Sequence, residues 1–244
     1  MFPIQNAVPS RYPPLATWGL IATNCLVFLF QISLSPDELG EFLMRFALIP
    51  ARYFTPSFDM SLAPSSYLPF LTNIFLHGGW LHLILNMWTL WLFGGTVEDR
   101  QGPARFLAFY LACGVLGSAA HAVVYADSAV PVLGASGAIA GVLGCYIRLF
   151  PWARIIAVVP LLFLPLFFEV PAIVFIGFWF VMQVLQGTAE LLAPHAGTGV
   201  AVWAHIGGFV AGLALGPLLT RSKQRYRAYY ADEGKFGFDL MGRQ

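Results

Sequence analysis

Long stretches without a single charged residue constrain this chain more than any other feature of its sequence. Seven such windows follow one another, at 12–36, 60–97, 106–126, 128–147, 155–168, 170–189 and 191–220. A helix of about 20 apolar residues crosses the hydrocarbon core of a bilayer, and six of the windows can hold one. Only 10% of the residues are charged, whereas soluble domains have about 25%. The sequence therefore predicts an all-α polytopic membrane protein with six transmembrane helices.

The windows also locate the elements along the chain. We expect the first helix at 17–34, the second to end near residue 95, and the others at 103–125, 136–148, 170–188 and 199–219. The window 155–168 is short and prolines interrupt its neighbourhood, so 151–169 is predicted to be an interfacial or re-entrant connection. Within the long loop 35–70, apolar residues at helical spacing predict an amphipathic surface helix over 39–49.

The distribution of positive charge predicts the orientation of the bundle. Eleven of the thirteen lysines and arginines fall on one side, and only Arg45 and Arg52 on the other. Basic residues favour the cytoplasmic side, so we expect a cytoplasmic N-terminal segment 1–16, a membrane domain 17–220 and a cytoplasmic polar tail 221–244. Because 1–16 has neither the apolar core of a signal peptide nor an arginine-rich transit pattern, we expect a bacterial plasma (inner) membrane location.

One serine lies at a position that favours chemistry. Ser136 stands between small residues, in Gly134-Ala135-Ser136-Gly137, at the outer end of the fourth predicted helix. Small residues at spacings of three and four let membrane helices pack closely, and packing is the plainer interpretation. The alternative is a nucleophile, held where backbone N–H groups at a helix start face an oxyanion.

Strongly polar residues within the predicted spans are few, and they usually have a function because burying them in lipid is costly. His82 and Asn86 are four residues apart in the second helix, so they share one face. Both can donate hydrogen bonds toward an oxyanion. For His77 we favour a structural role, a buried hydrogen-bond network that ties the second helix to the long loop.

His205 in the sixth helix is the candidate base. Glycines form a close-packing face on two helices: Gly208 and Gly212 on the sixth, and Gly137, Gly141 and Gly144 on the fourth. If these faces meet, His205 comes within hydrogen-bond distance of Ser136 and can activate it. No carboxylate lies within the predicted spans, which favours a Ser–His dyad over a triad.

The sequence also argues against several cofactors and partners. No His-Glu-x-x-His motif is present, and the spacing of five between His77 and His82 does not put two ligands on one helix face. We therefore expect no metal, and nothing indicates another cofactor. The net charge is +1 without a basic patch, so we expect no nucleic acid partner.

Together these residues resemble the rhomboid family of intramembrane serine proteases. The matching features are His77, His82 and Asn86, the segment from Gly94-Gly95 to Gly102, Gly134 to Gly137, and Ala204-His205 with Gly208 and Gly212. The resemblance covers about residues 17–220. It implies a six-helix rhomboid-like bundle in the lipid bilayer that cleaves single-span membrane protein substrates near the outer membrane face.

The resemblance also implies roles for individual residues. Ser136 is then the nucleophile and His205 the general base. The oxyanion hole consists of the Ser136 N–H, the Asn86 amide and the His82 ring. Five residues support this site: His77, Gly134, Gly137, Gly208 and Gly212.

A capping loop at 190–198 and a lateral gate at the fifth helix are further implications. Trp179 and Gln183, four apart on that helix, are candidates to line the gate, and packing against the second helix explains them equally well. The chain departs from the family pattern at three places, one of which is the segment 151–169, longer than a minimal family connection. The long loop lacks a Trp-Arg pair, and Ala140 replaces an aromatic that supports the histidine in some members, so another residue must hold the His205 ring.

Two non-catalytic classes stay open as alternatives: a client-binding scaffold of the rhomboid pseudoprotease kind, and a small-solute transporter. Inactive relatives lack the nucleophile or the base, and this chain has both. A transporter typically has an internal repeat, and none is evident. Covalent labelling by a serine-reactive fluorophosphonate separates an enzyme from either class.

Overall fold

The computed structural model describes residues 2–8, 10–54, 67–161, 164–192 and 200–220, which are mostly helical. In chain order the elements are β1 (Phe2–Asn6), α1 (Leu15–Ser33), α2 (Pro36–Phe46), α3 (Ala51–Phe54), α4 (Pro69–Thr72), α5 (Trp80–Gln101), α6 (Pro103–Val124), α7 (Ser136–Leu149), β2 (Arg154–Leu161), β3 (Leu164–Pro171), α8 (Ala172–Leu192) and α9 (Val202–Leu219). Among the helices of the described residues, four are long and apolar enough to cross a membrane: α1, α6, α8 and α9. The protein is a multi-pass integral membrane protein.

The core of the bundle is built around α7. Every residue from Gly137 to Tyr146 is buried, and α7 packs against α9 through glycines. A Cβ at Gly208 would overlap the carbonyl oxygen of Gly137, and a Cβ at Gly212 would overlap that of Gly141. Close backbone approach of this kind maximises dispersion contacts, which hold helices together in lipid. It also fixes the position of the first turn of α9 along the bundle axis, relative to the start of α7.

The second predicted helix is longer than the sequence indicates. The expected end near residue 95 is wrong, because α5 continues through Gly94 and Gly95 to Gln101. Both glycines make room for the start of α1. A Cβ at Gly94 would lie 3.1 Å from the Thr17 side chain, and a Cβ at Gly95 would lie 3.2 Å from Pro14. Two glycines that lower helix propensity therefore serve close packing here.

Glu98 lies beyond these glycines and caps α1. Its carboxylate accepts hydrogen bonds from the N–H groups of Ala16 and Thr17, at 2.9 and 2.8 Å, and from the Thr17 hydroxyl at 2.7 Å. Amides in the first turn of a helix have no partner within that helix. The carboxylate supplies one, and the helix dipole favours its negative charge.

We expect Glu98→Ala to destabilise the protein. Glu98 is only 3% exposed, so the substitution leaves buried donors unsatisfied, at about 1–3 kcal/mol each. Glu98→Gln keeps one acceptor oxygen and should be the milder change. Thermal unfolding of the purified protein in detergent measures both variants. An alanine variant that melts at the wild-type temperature would rule out the capping role.

Strands β2 and β3 lie where the sequence predicts an interfacial or re-entrant connection, 151–169, so the all-α expectation is wrong there. Strands β2 and β3 pair antiparallel, and β1 from the N-terminus adds to β2, which gives the order β1-β2-β3. The β-branched residues of β2 favour a strand. The prolines of β3 lie in an edge strand, where a missing N–H is tolerated.

Strand β1 anchors this sheet to the helices. The Asn6 side chain donates to Thr96 Oγ1 at 2.7 Å and accepts from the Tyr146 hydroxyl at 2.5 Å. Trp88 Nε1 donates to the Pro3 carbonyl oxygen at 2.8 Å. The connection between α7 and α8 is thus fixed to α5 through the N-terminal strand, and this determines where α8 begins.

The long loop after α1 contains the expected amphipathic helix, α2, which begins at Pro36. Ser35 and Glu38 form a reciprocal capping box at its start. Hydrogen bonds from the Ser35 hydroxyl and N–H lower the pKa of the Glu38 carboxyl. Residues 55–66 of the same loop lie outside the described ranges.

Candidate active site

Ser136 and His205 meet where two neighbouring helices begin. Ser136 is the first residue of α7, and His205 lies in the first turn of α9. The distance from His205 Nε2 to Ser136 Oγ is 2.8 Å. Gly137 permits this approach, because a Cβ there would lie 3.3 Å from the carbonyl oxygen of Ala204. The structure therefore brings together the two residues that the glycine spacing links in the sequence.

The pair has the geometry of a nucleophile and its base. A serine becomes nucleophilic at neutral pH when a base lies within about 2.6–3.2 Å of its hydroxyl. His205 is 9% exposed, so its ring is held by protein on most sides. Ser136 itself is partly exposed.

Two residues of α8 hold the opposite side of the His205 ring. Gln183 Oε1 lies 2.7 Å from His205 Nδ1. The centroids of the Trp179 and His205 rings are 6.0 Å apart, with 37° between the ring planes. The sequence predicts Trp179 and Gln183 as gate-lining or packing residues, and the structure places both against His205. Trp179 and Gln183 therefore support the His205 ring, which the small side chain of Ala140 cannot do.

Gly134 brings the His82 ring close to the serine. Its φ of +132° lies where residues with a side chain are strained. A Cβ there would also lie 2.9 Å from His82 Nε2. The Gly78 N–H donates to His82 Nδ1 at 3.4 Å, so the proton of a neutral ring is on Nε2. This N–H is on the side of the ring that contacts Gly134, two residues before Ser136.

Asn86 follows His82 by one turn on the buried face of α5. It is 7% exposed, and within the described part of the chain its Nδ2 has no hydrogen-bond partner. A buried donor without an acceptor costs about 1–3 kcal/mol. A negatively charged oxygen that forms during a reaction is a suitable acceptor for it.

His77 is bonded to α1 through its backbone, whereas its ring nitrogens have no hydrogen-bond partner within the described residues. The backbone N–H of His77 donates to Gln31 Oε1 at 3.0 Å, and its backbone carbonyl oxygen accepts from Gln31 Nε2 at 3.1 Å. The network therefore ties the start of α5 to α1 instead of the long loop. The His77 ring lies 5.1 Å from that of His82 and supports it from the side.

Asn73 and Ser118 are positioning residues that the sequence analysis does not identify. The Gly134 N–H donates to the Asn73 carbonyl oxygen at 2.9 Å, and the Ser118 hydroxyl donates to Asn73 Oδ1 at 3.2 Å. Together they hold the backbone just before Ser136. An asparagine in a window without charges is a signal that could have indicated this role.

In the described ranges, no group of three His, Cys, Asp or Glu side chains could hold a metal ion. The capping loop expected at 190–198 lies mainly outside the described residues, because 193–199 are not among them.

The fold and the site thus define a helical, multi-pass membrane protein with a serine–histidine pair at the start of a buried helix. A Rhomboid domain family model matches residues 64–222, which is more than half of the chain. The chain belongs to the rhomboid family.

Several curated relatives are similar to the chain. Rhomboid protein 1, mitochondrial, of Saccharomyces cerevisiae is 30% identical over 234 residues, covering 90% of this chain and 58% of the yeast protein. Presenilin-associated rhomboid-like protein, mitochondrial, of Homo sapiens is 33% identical over 152 residues, or 61% of this chain and 35% of that protein. Rhomboid protease GluP of Bacillus subtilis is 46% identical over 83 residues, or 34% of this chain and 16% of that protein. The chain spans 58% or less of the length of each of these relatives. Intramembrane proteolysis is therefore supported at the level of the family.

Proposed function

We propose that the protein is an intramembrane serine endopeptidase that uses Ser136 and His205 as a catalytic dyad. The observation that carries this proposal is the 2.8 Å contact between Ser136 Oγ and His205 Nε2. Membership of a family with named proteases supports it. The substrates are membrane proteins with a single transmembrane segment, cleaved near the outer face of the membrane.

Acylation uses the dyad directly. His205 Nε2 takes the hydroxyl proton of Ser136 as Oγ attacks a peptide carbonyl carbon, and the carbonyl oxygen becomes an oxyanion. When the C–N bond breaks, the His205 imidazolium returns the proton to the leaving amine. Water, deprotonated by His205, then attacks the ester carbonyl, and Ser136 leaves with a proton as the acid product is released.

The oxyanion is stabilised by donors from two helices. The N–H groups in the first turn of α7 have no partner within that helix and carry the positive end of its dipole. The Asn86 Nδ2 and the His82 Nε2–H supply two more donors from α5. Each such donor is worth about 3–4 kcal/mol of transition-state stabilisation when it is preorganised in a site of low dielectric constant.

The substrate reaches the dyad from the lipid, between α5 and α8. Residues of both helices flank Ser136 and His205, and α8 is the least buried of the four candidate spans. A helix with few buried contacts is displaced at low cost. This makes α8 the better candidate for a lateral gate.

We also propose six spans, in which α5 and α7 join the four long apolar helices, within a membrane domain 17–220. Because β1 pairs with β2, the N-terminal segment and the connection between α7 and α8 lie on one side of the membrane. Two segments on the same side of a membrane are separated by an even number of crossings. The four helices α1, α5, α6 and α7 provide four. Arg11 lies in the N-terminal segment and Arg154 in the connection between α7 and α8, and both favour the cytoplasmic side.

This topology predicts where reporters are active. A reporter that works only outside the cytoplasm should give no signal when fused after Gln244, at the end of the tail 221–244. The same reporter inserted in the loop 55–66 should give a strong signal. A strong signal from the Gln244 fusion would show that the orientation is the opposite of the one proposed. Location in a bacterial plasma membrane stays a prediction, which membrane fractionation of the source cells tests.

The proposed function is tested with purified full chain in proteoliposomes that contain a tagged single-span substrate. We expect a cleaved fragment whose new terminus lies near the outer end of the substrate segment. Fluorophosphonate labelling of the same preparation should modify the protein. A folded protein that neither cleaves nor labels would instead belong to a non-catalytic class, a client-binding scaffold or a small-solute transporter.

A further inference from the structure

We infer that Gln183 positions the base: its amide oxygen fixes the orientation and the tautomer of His205. This inference rests on the proposed function. Both ring nitrogens of His205 have partners, Ser136 Oγ at 2.8 Å from Nε2 and Gln183 Oε1 at 2.7 Å from Nδ1. The ring is thus held at both ends by residues of different helices.

The chemistry of the two partners determines where the ring proton lies. A neutral imidazole has one N–H donor and one acceptor nitrogen, and an amide oxygen can only accept. The hydrogen of His205 is therefore on Nδ1, facing Gln183. The lone pair is then on Nε2, facing the Ser136 hydroxyl, which is the arrangement that a general base requires.

The opposite amide orientation would disable the site. If the Gln183 NH₂ group faced Nδ1, the ring proton would move to Nε2 and point at Ser136, and the hydroxyl could not be deprotonated. Gln183 therefore has the part that a carboxylate has in the Ser-His-Asp triad, with one difference. The amide orients the ring without adding a charge.

A neutral orienting group suits this location. An ionised carboxylate away from water is costly unless it is paired. The nearest acid further along α8 is Glu190, and its carboxylate accepts hydrogen bonds from the Tyr125 hydroxyl at 3.0 Å and from Gln186 Nε2 at 3.1 Å. The hydrogen bonds of the Glu190 carboxylate are therefore made to residues other than His205.

Trp179 completes the support from the same helix. It lies one turn before Gln183, and its ring contacts both His205, at 6.0 Å between centroids, and Phe209, at 6.2 Å. The imidazole is confined by the indole on one side and oriented by the amide at Nδ1. Both groups belong to α8, so the proposed gate helix must be in place when the proton is transferred.

The test compares substitutions of Gln183 with the same change one turn away. Gln183→Leu removes the acceptor at similar volume, Gln183→Glu keeps an acceptor, and Gln186→Leu is the matched control. We expect Gln183→Leu to lower kcat and the fluorophosphonate labelling rate about 10–100-fold with little change in KM, the size of effect seen when a metal-bound histidine loses the group that orients it. Gln186→Leu removes a donor to the buried Glu190 carboxylate but no hydrogen bond to His205, so it should lower the melting temperature while the labelling rate of the folded protein stays near that of the wild type.

Gln183→Glu separates orientation from packing. Above about pH 8 its carboxylate is ionised and accepts from Nδ1–H, so this variant should label faster than Gln183→Leu. Its acid limb should move to higher pH, because a carboxylate stabilises the protonated imidazole. If Gln183 only fills space, the leucine variant labels as fast as the wild type and faster than the glutamate variant, and the inference is wrong.

Two controls distinguish this inference from the proposed function. Melting temperatures in the same detergent show whether each variant is folded. If wild type fails to label, or Ser136→Ala labels as well as wild type, the proposed function fails. If wild type labels, Ser136→Ala does not, and Gln183→Leu is unimpaired, only the role of Gln183 is refuted.

Discussion

We expect Ser136→Ala to remove peptide-bond cleavage while the protein keeps its fold. The substitution deletes only Oγ, the atom that His205 Nε2 contacts at 2.8 Å, and leaves the oxyanion donors in place. Loss of a catalytic serine costs on the order of 10⁶-fold in turnover in a well-studied serine protease, so we expect activity below detection. Quantitative detection of the substrate fragment in proteoliposomes measures it.

A serine away from the site provides the control. Ser33 at the end of α1 is exposed, and its hydroxyl donates to the Phe30 carbonyl oxygen. Ser33→Ala should cleave at the wild-type rate. Should Ser136→Ala retain substantial cleavage with the same fragment size, the nucleophile would have to be another residue.

The second large effect concerns the base and the oxyanion donors. His205→Ala should not label with fluorophosphonate, since no other base lies at the Ser136 hydroxyl in the described structure. Asn86→Ala should still label, slower by about 10²–10³-fold, because one donor is lost and the backbone N–H groups remain. His82→Ala should fall between them, since its ring also packs against Gly134. Labelling rates of the three variants in one detergent give the order.

Thr89 supplies the control on the same helix. It lies three residues after Asn86, and its hydroxyl donates to the Leu85 carbonyl oxygen at 2.8 Å. Thr89→Val should label like the wild type. If His205→Ala labelled at the wild-type rate while His82→Ala did not label at all, His82 would be the better candidate for the base.

The pairing of Ser136 with His205 could be anticipated from the sequence because glycine spacing constrains two helices at once. Only glycines allow a carbonyl oxygen of α7 to approach the backbone of α9, as at Gly208 and Gly212. Once these faces meet, the residues at the adjoining helix ends are brought together. Local spacing thus carries information on a contact between residues that are far apart in the chain.

The role of α8 could not be obtained in this way. The four-residue spacing of Trp179 and Gln183 indicates a shared face but not the neighbour that this face contacts. That neighbour depends on the rotation of α8, which is set by its start after β3 and by the docking of β1 on α5. A pairing between residues 2–6 and 155–158 leaves no signal in hydropathy windows. The sheet and the support of His205 were therefore not predicted.

The extent of α5 was misjudged for a related reason. Gly94 and Gly95 lower helix propensity, and Glu98 and Asp99 are charged, so the sequence indicates a helix end. In the structure these residues contact the first turn of α1 and the segment before it, with Glu98 bonded to the amides of Ala16 and Thr17 and Asp99 to those of Arg11 and Tyr12. Tertiary contacts override the local preference at this point.

The central claim is that His205 activates Ser136 for attack on a carbonyl. Its most direct test is to locate the fluorophosphonate adduct by mass spectrometry on the full chain in detergent. We predict one adduct, on the peptide that contains Ser136, in wild type and none in folded His205→Ala. An adduct on a different serine, or an equal adduct at Ser136 without His205, would contradict the account.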